Sequence, residues 1–405
     1  MRATLGLLLT ATITLAAARP DWQQLRGRIE ATLHIPNPLP DNAAKSYGEF
    51  DVAPGVTAER ISYATAYGLR VPAVVYRQRG ASLTQRPALI VVNGHGGDKS
   101  SWYAYWAGIL YARAGAVVLT YDPIGEYERN AERKSDTNQH DQYVAPDDMG
   151  RRMGGLMITD VMEATSYLAQ RTDVDPKRVA ALGYSMGSFI TSIACAVETR
   201  LRGCVLAGGG DLDGPGGYWD SSRKMCQAIP YQSLSFLGNR GPAIYALQAR
   251  HAVTYVFNGS TDQVVDIPNH GPDFFATLRR DTIKEQGSAK DVFEYGFAPN
   301  GGHRPYFLTK PVALWLEEKL KFPNWTRKEV EAMPETHISD WAIAKGLKAK
   351  TSENYEHGEG GTMALGTDIP AVSREELHAL PEALWESQKD KYVYESWLAR
   401  AKAAE

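Results

Sequence analysis

The chain is short of the features that mark several large protein classes. Three cysteines in 405 residues, Cys195, Cys204 and Cys226, are too few for a small disulfide-framed scaffold. An oxidising compartment allows one pair, with Cys204–Cys226 a candidate, and the other reading is three buried thiols acting as small apolar side chains. Charge of one sign is not in excess either: 44 Lys and Arg stand against 47 Asp and Glu, for a formal net charge of -3. No run of basic residues is interleaved with aromatics, so nucleic acid is not expected as a partner. An H-E-x-x-H pattern is missing and the nine histidines are scattered, so no metal site is expected, and nothing in the sequence asks for a cofactor.

What is present begins with "MRATLGLLLTATITLAAARPD". Arg2, an apolar stretch from Leu5 to Ala18 and small residues at its end follow the pattern of a signal peptide over residues 1–18, cleaved after Ala18. The stretch is short for a membrane span, so the expected product is secreted or periplasmic, with no stable membrane association after cleavage. With 43% hydrophobic residues, the rest is long enough for one large core and a smaller module.

Strand-like and helical patterns then alternate. "AERISYATAYGLRVPAVVYRQRG" reads as two strands around Tyr67-Gly68. The continuous apolar runs "RPALIVVNG" and "AVVLTYDPIG" suit strands buried on both faces of a sheet. Between them "SWYAYWAGILYARAG" is helical, and "LMITDVMEATSYLAQR" precedes the run "VDPKRVAALGY". "RGCVLAGGG", "HAVTYVFNGSTDQVV" and "DVFEYGFAPNGGH" continue the series, with helices around Phe274–Ile283 and Pro311–Leu320. This order predicts an α/β fold with a mostly parallel, doubly wound sheet flanked by helices. In such a sheet the strand ends meet the ligand, and the glycine-rich and polar clusters fall there.

One of those ends is "GYSMG", where Gly183 and Gly187 flank Ser185 between an apolar strand and a helical pattern. G-x-S-x-G is short enough to occur by chance, but strand before, helix after and a single copy are the context of a nucleophile elbow, which presents a serine hydroxyl on a sharp turn. The bland alternative is an N-cap serine. A serine needs a base, and the base needs an acid to orient it. In this fold their chain order is serine, acid, histidine, which selects Asp262 after "TYVFNGS" and His303 in "APNGGHRPY". Asp266, Asp211 and Asp213 are rival acids. His251 and His270 are placed like solvated or capping residues, and His337, His357 and His378 lie in a C-terminal extension. A developing oxyanion needs preorganised donors: the N–H of Met186 and, from the loop "NGHGGDKS", that of His95 or Gly96.

Through "VVNGHGGDKS", "TYDPIGEYER", "DPKRVAALGYSMGS", "NGSTDQVV" and "GGHRPYF", the chain resembles α/β-hydrolases of the dienelactone-hydrolase and acetyl-xylan-esterase-like group. The resemblance covers about residues 69–320 and implies the α/β-hydrolase fold and a serine esterase, often exported and acting on acetylated carbohydrate, with catalysis falling on Ser185, Asp262 and His303. Asn93 stands where many relatives have histidine, and residues 322–405 have no counterpart. The expected organisation is therefore a signal peptide at 1–18, a hydrolase domain at 19–321 and a charged, mostly helical extension at 322–405, read as a packed layer, a lid or a dimer contact. Oligomeric state stays open.

The segment at about 211–245 is too long for a simple crossover, and its aromatics suggest a cap over the pocket. Tyr218 and Trp219 would stack on a sugar there and Arg304 would bind hydroxyls or a uronate, the alternatives being a small core of its own and a surface ion pair. The leading function is removal of acetyl or other small acyl groups from a glycan or similar polar ester. Runner-up readings are a pectin or uronate methyl esterase, and a serine peptidase or acyltransferase on the same fold; an inactive binding protein comes last.

Overall fold

The computed structural model describes residues 21–80, 85–137, 139–143, 147–221, 225–271, 273–347 and 362–404. The expected signal peptide at 1–18 and His357 lie outside them.

Among the described residues nine strands form one sheet. In chain order they are β1 (Lys45–Ala53), β2 (Val56–Ala64), β3 (Arg70–Gln78), β4 (Arg86–Val92), β5 (Val117–Tyr121), β6 (Val174–Tyr184), β7 (Gly203–Ala207), β8 (Val253–Gly259) and β9 (Glu294–Ala298). Their spatial order is β1-β2-β3-β5-β4-β6-β7-β8-β9. The first three strands form an antiparallel meander joined antiparallel to β5, and every pairing from β5 to β9 is parallel. The β2–β3 turn at Tyr67-Gly68 falls where the sequence pattern places it, and both residues have positive φ (57° and 63°).

Strands β4, β5 and β7 are buried at every position, as expected when helices cover both faces. One face carries α1 (Trp22–Thr32), α3 (Asp148–Gln170), α4 (Met186–Val197), α7 (Arg240–Gln248) and, after the short α8 (Ile267–His270), α9 (Phe274–Gln286) over a core that includes Leu156, Ile190 and Ile244. The other carries α2 (Trp102–Arg113), α10 (Lys310–Leu320) and much of the extension over a core that includes Trp106, Leu182 and Phe307. Two elements escape the sequence pattern. Strand β1 is an edge with hardly a buried position, so it lacks an alternating apolar face, and α1 is a polar helix with Ile29 as its buried residue, capped by Asp21.

The 211–245 segment contains α5 (Tyr218–Ser221), α6 (Ala228–Gln232) and most of α7. It packs on α3 and α4 as part of the core of that face, which corrects the cap expected over the pocket. Trp219 is fully buried against Phe189, with ring centroids 4.2 Å apart, and its indole N–H donates to the Asp211 carbonyl at 3.1 Å.

The extension continues with α11 (Arg327–Ala332), a two-stranded ribbon of β10 (Glu335–His337) and β11 (Met363–Leu365), α12 (Ile338–Lys345), α13 (Glu382–Gln388) and α14 (Tyr394–Ala403). Its tryptophans fasten it to the domain. Trp385 Nε1–H donates to the Glu128 carbonyl at 2.9 Å, and Trp341 Nε1–H to Ile369 O at 2.9 Å inside the extension itself. The domain reciprocates through Trp106, whose Nε1–H donates to Leu365 O at 2.9 Å. The Glu128 carboxylate, buried with Lys99 Nζ at 2.6 Å, also accepts the backbone N–H groups of Ala379 and Leu380.

The disulfide joins Cys195 on α4 to Cys204 on β7, directly beneath that helix. Cys226 remains a buried thiol in the insertion, so the Cys204–Cys226 pairing is not the one formed.

Candidate active site

Ser185 sits between β6 and α4 with φ 54° and ψ -120°. An L residue held there costs on the order of 1–3 kcal/mol, which the surroundings must offset. They do so by leaving no room for the chain to relax. A Cβ on Gly183 would lie 2.4 Å from the carbonyl oxygen of Gly187, and one on Gly187 would lie 2.1 Å from that of Val92. The two glycines are thus required by close backbone approach rather than by positive φ. Ser185 is no N-cap in the ordinary sense, because its side chain makes no capping hydrogen bond. Its own N–H instead donates to Ala207 O at 2.9 Å, tying the corner to β7.

Asp262, in the loop after β8, and His303, in the loop after β9, are both buried, with Asp262 Oδ2 2.8 Å from His303 Nδ1. Asp262 Oδ1 accepts the backbone N–H of Val264 at 3.0 Å, so the carboxylate is held at both oxygens. The histidine ring packs 5.1 Å from that of Tyr184, whose hydroxyl donates to His303 O at 3.2 Å. His303 and Ser185 line one cavity of about 520 Å³. The rival acids are engaged elsewhere. Asp211 is buried under Trp219, and burial, with the charges of Asp213 and Asp262 behind it, pushes its carboxyl well above the usual range. Asp266 binds Asn269 and Asp213 binds the Trp219 N–H. Among the rival histidines, His251 meets Arg26 and His270 stacks on Phe274.

Met186 opens α4, so its N–H is among those a helix leaves without an intrahelical partner. His95 and Gly96 line the same cavity from the β4–α2 loop, where Gly96 has φ 71° and Gly97 N–H closes a turn onto Gly94 O at 2.9 Å. Asn93, fully buried, donates to Tyr121 O at 2.8 Å and locks β4 to β5 just before this turn.

The residues expected to bind substrate are not brought to the cavity. Trp219 is enclosed by the core described above, and half-buried Tyr218 packs on Trp219 and His270. Arg304 is 3% exposed and lies against Tyr306, since the chain turns inward directly after His303. The wall is built instead by Trp102, Tyr103 and Tyr105 at the start of α2 and by Trp341, Val372 and Arg374 of the extension. The Trp102 and Trp341 rings are 6.4 Å apart, and Arg374 reaches Asp98 Oδ2 at 3.1 Å. The fastening tryptophans signal that the extension packs, yet nothing local in the sequence says that it reaches the cavity of Ser185.

A second group was equally invisible in the sequence: His95, His140, Asp141 and Cys226 place one ligand atom each within 4.8 Å of all the others. Burial, with the neighbouring His95, holds the His140 imidazole down to about 4. Burial works to raise Asp141, but the hydrogen bond and charge of His95 bring it down to about 2. Glu126, also enclosed, is pushed up to about 8 by burial.

Residues 146–328 match the prolyl oligopeptidase family model, less than half of the chain but spanning the elbow, Asp262 and His303. A match of that family together with this strand order and elbow decides the class. The chain has the α/β-hydrolase fold. Solved structures similar to it include the methylesterase BT1017 (18% identity, TM-score 0.53, covering 93% of this chain and 70% of that one). Others are a glucuronoyl esterase from Solibacter usitatus (14%, 0.52, 74% and 92%) and an acetyl xylan esterase from Paenibacillus sp. R4 (15%, 0.50, 75% and 96%). At these identities the likeness is one of fold.

Curated relatives match over shorter stretches. The YtaP protein of Bacillus subtilis (strain 168), whose name describes a hydrolase, is 38% identical over 56 residues, 14% of this chain and 19% of that protein. The thiohydrolase apmlB of Arthrinium phaeospermum is 24% identical over 145 residues, 36% and 41%. The matches therefore span well under two thirds of either relative.

Proposed function

We propose that this α/β-hydrolase is an exported serine esterase that removes acetyl or similarly small acyl groups from carbohydrate. The observation that carries the reading is the common cavity: Ser185 on its strained corner, His303 fixed by Asp262, and an aromatic wall share one space.

Ser185 Oγ attacks the ester carbonyl carbon while His303 takes the hydroxyl proton, and Asp262 holds the imidazole in the tautomer that accepts it. The tetrahedral oxyanion forms against the N–H of Met186 and an N–H of His95 or Gly96, donors that need no rearrangement as charge develops. Collapse expels the sugar alcohol, protonated by His303, and leaves an acyl-serine. Water then attacks the acyl carbon by the same route, releasing the acid and restoring Ser185. No cofactor enters either half.

The substrate class rests on the wall. Trp102, Tyr103, Tyr105 and Trp341 offer ring faces and edges for a pyranose, while Asp98, Ser100, Ser101 and Arg374 supply hydroxyl partners among them. Similarity to structures named as acetyl xylan and glucuronoyl esterases supports a carbohydrate ester. The prolyl oligopeptidase match keeps peptide hydrolysis as the second reading. Export rests on the N-terminal pattern; among the described residues no helix is long and apolar enough to cross a membrane.

The test is product release from acetylated xylan, acetylated pectin and methylated pectin, beside 4-nitrophenyl esters and an aminoacyl anilide. The expected result is acetate from at least one glycan and a steep fall in kcat/KM from two-carbon to eight-carbon acyl groups. Preference for octanoate, cleavage of the anilide alone, or methanol without acetate contradicts it.

A further inference from the structure

Beside the nucleophile lies a set of side chains that ester hydrolysis does not use. We propose that His95, His140, Asp141 and Cys226 form a structural binding site for a borderline-soft divalent transition cation of the zinc class.

The donors come from three separate loops, following β4, following β5 and within the insertion, so no local packing need explains their convergence. Two imidazoles, a thiol and a carboxylate are a ligand set that zinc takes in tetrahedral sites and that hard, oxygen-seeking cations do not. Their ligand atoms all lie within 4.8 Å of one another, against the roughly 3.3–3.7 Å that zinc bond lengths impose on a tetrahedron. His95 and Asp141, each 29% exposed, are the members free to close that difference.

His140 supplies the decisive observation. It is fully buried, its Nδ1 lies 3.2 Å from Ile124 O, and among the described residues its Nε2 has no hydrogen-bond partner. Donation from Nδ1–H to a backbone carbonyl leaves the Nε2 lone pair as a bare acceptor on a ring 4.7 Å from that of His95, and this is how metal-binding histidines are oriented by their surroundings. Glu126 Oε1, 3.7 Å from the same Nδ1, adds an outer carboxylate. Asp141 is held in the same manner: Oδ1 accepts the Cys226 N–H at 3.1 Å, while Oδ2 faces His95 Nε2 at 2.7 Å. The Cys226 sulfur lies 3.5 Å from Met186 Sδ, so the cluster borders the residue that follows the nucleophile.

Four protein ligands close a tetrahedral shell and leave no position for substrate, so the ion's role is structural. It binds as the Cys226 thiol gives up its proton to solvent. Bound there, it pins the loop carrying His95 and the insertion touching Met186 into one unit, fixing both sides of the oxyanion site.

The experiment uses the full chain, stripped with a chelator and titrated with Zn²⁺ and separately with Co²⁺. The expected result is one ion per chain, a thiolate-to-cobalt charge-transfer absorption, and a melting temperature that rises with added Zn²⁺. Cys226→Ser should remove the absorption, and both it and His140→Ala should weaken binding at least about 100-fold, the most that loss of a mere outer-shell partner costs. Asp141→Asn, on a residue open enough to tolerate the change, should lower affinity without altering the fold, and it carries the test should a buried variant fail to fold. Ser185→Ala should bind Zn²⁺ as the parent does, which separates this site from the esterase reading. No ion above background after stripping, or parental affinity in folded Cys226→Ser and Asp141→Asn, overturns the proposal.

Discussion

Ser185 combines the most strained backbone of the site with the shortest sequence signal for it, and the two are linked. The demands on its neighbours are local: a Cβ at position 183 or 187 meets a carbonyl oxygen at 2.4 or 2.1 Å, so the glycines appear at fixed spacing and the corner can be read from five residues. Asp262 and His303 were legible for a different reason, the chain order that the fold imposes on its strand ends. Trp219 was not. An aromatic pair in an insertion has no period that tells an enclosed face from an open one, and here the indole N–H satisfied by Asp211 keeps the ring inside. Nor was the His140 cluster, whose members are neighbours only through tertiary structure. The acid assignment makes a residue-scale prediction. Asp262→Asn should lower kcat by up to about 10⁴-fold, because the amide favours the wrong imidazole tautomer. Asp211→Asn should change kcat far less, since Asp211 is engaged with Trp219 and burial already disfavours its charged form. Parallel kinetics on 4-nitrophenyl acetate decide the matter; the reverse order would move the acid to the loop after β7.

At the scale of elements, strands buried on both faces announce themselves as continuous apolar runs, which is why β4 to β8 were readable. The edge strand β1 exposes both faces, and α1 carries too few apolar residues for a helical stripe. Helix α3 begins at Asp148, well before the apolar periodicity that marks its centre, because its first turns are anchored by polar contacts such as Asp147 with the Gly150 N–H at 2.8 Å. The wall of the site joins two elements far apart in sequence, the start of α2 and α12 of the extension. Trp102, partly exposed at that junction, tests whether the wall binds sugar. Trp102→Ala should raise KM for an acetylated oligosaccharide by about tenfold, equivalent to roughly 1.4 kcal/mol, an amount a single aromatic contact can supply. Turnover of 4-nitrophenyl acetate, which needs no sugar contact, should stay near the parental value. An equal loss on both substrates would mean that Trp102 supports the fold rather than the substrate.

Across the whole molecule the sheet is a platform and the function lies in what its strand ends carry. The extension completes that arrangement. It covers much of the face opposite α3 and α4 while its last helix packs on α3, is gripped through the buried Glu128–Lys99 pair, and delivers Trp341 and Arg374 to the cavity. The platform and the pairing of Asp262 with His303 are legible in the sequence, whereas the place of the extension is not, because contacts such as Glu128 with Ala379 and Leu380 bridge some 250 residues of chain. The central claim is that the three strand-end residues act as one catalytic unit with Ser185 as the atom that takes the acyl group. Its most direct test is mass spectrometry of the full chain after reaction with a fluorophosphonate, with peptide mapping of the adduct. The account predicts one adduct per chain, located on Ser185, and none in Ser185→Ala, whose kcat should be down by roughly 10⁴-fold or more. An adduct on any other residue, or a Ser185→Ala variant that is labelled and turns over like the parent, would contradict it.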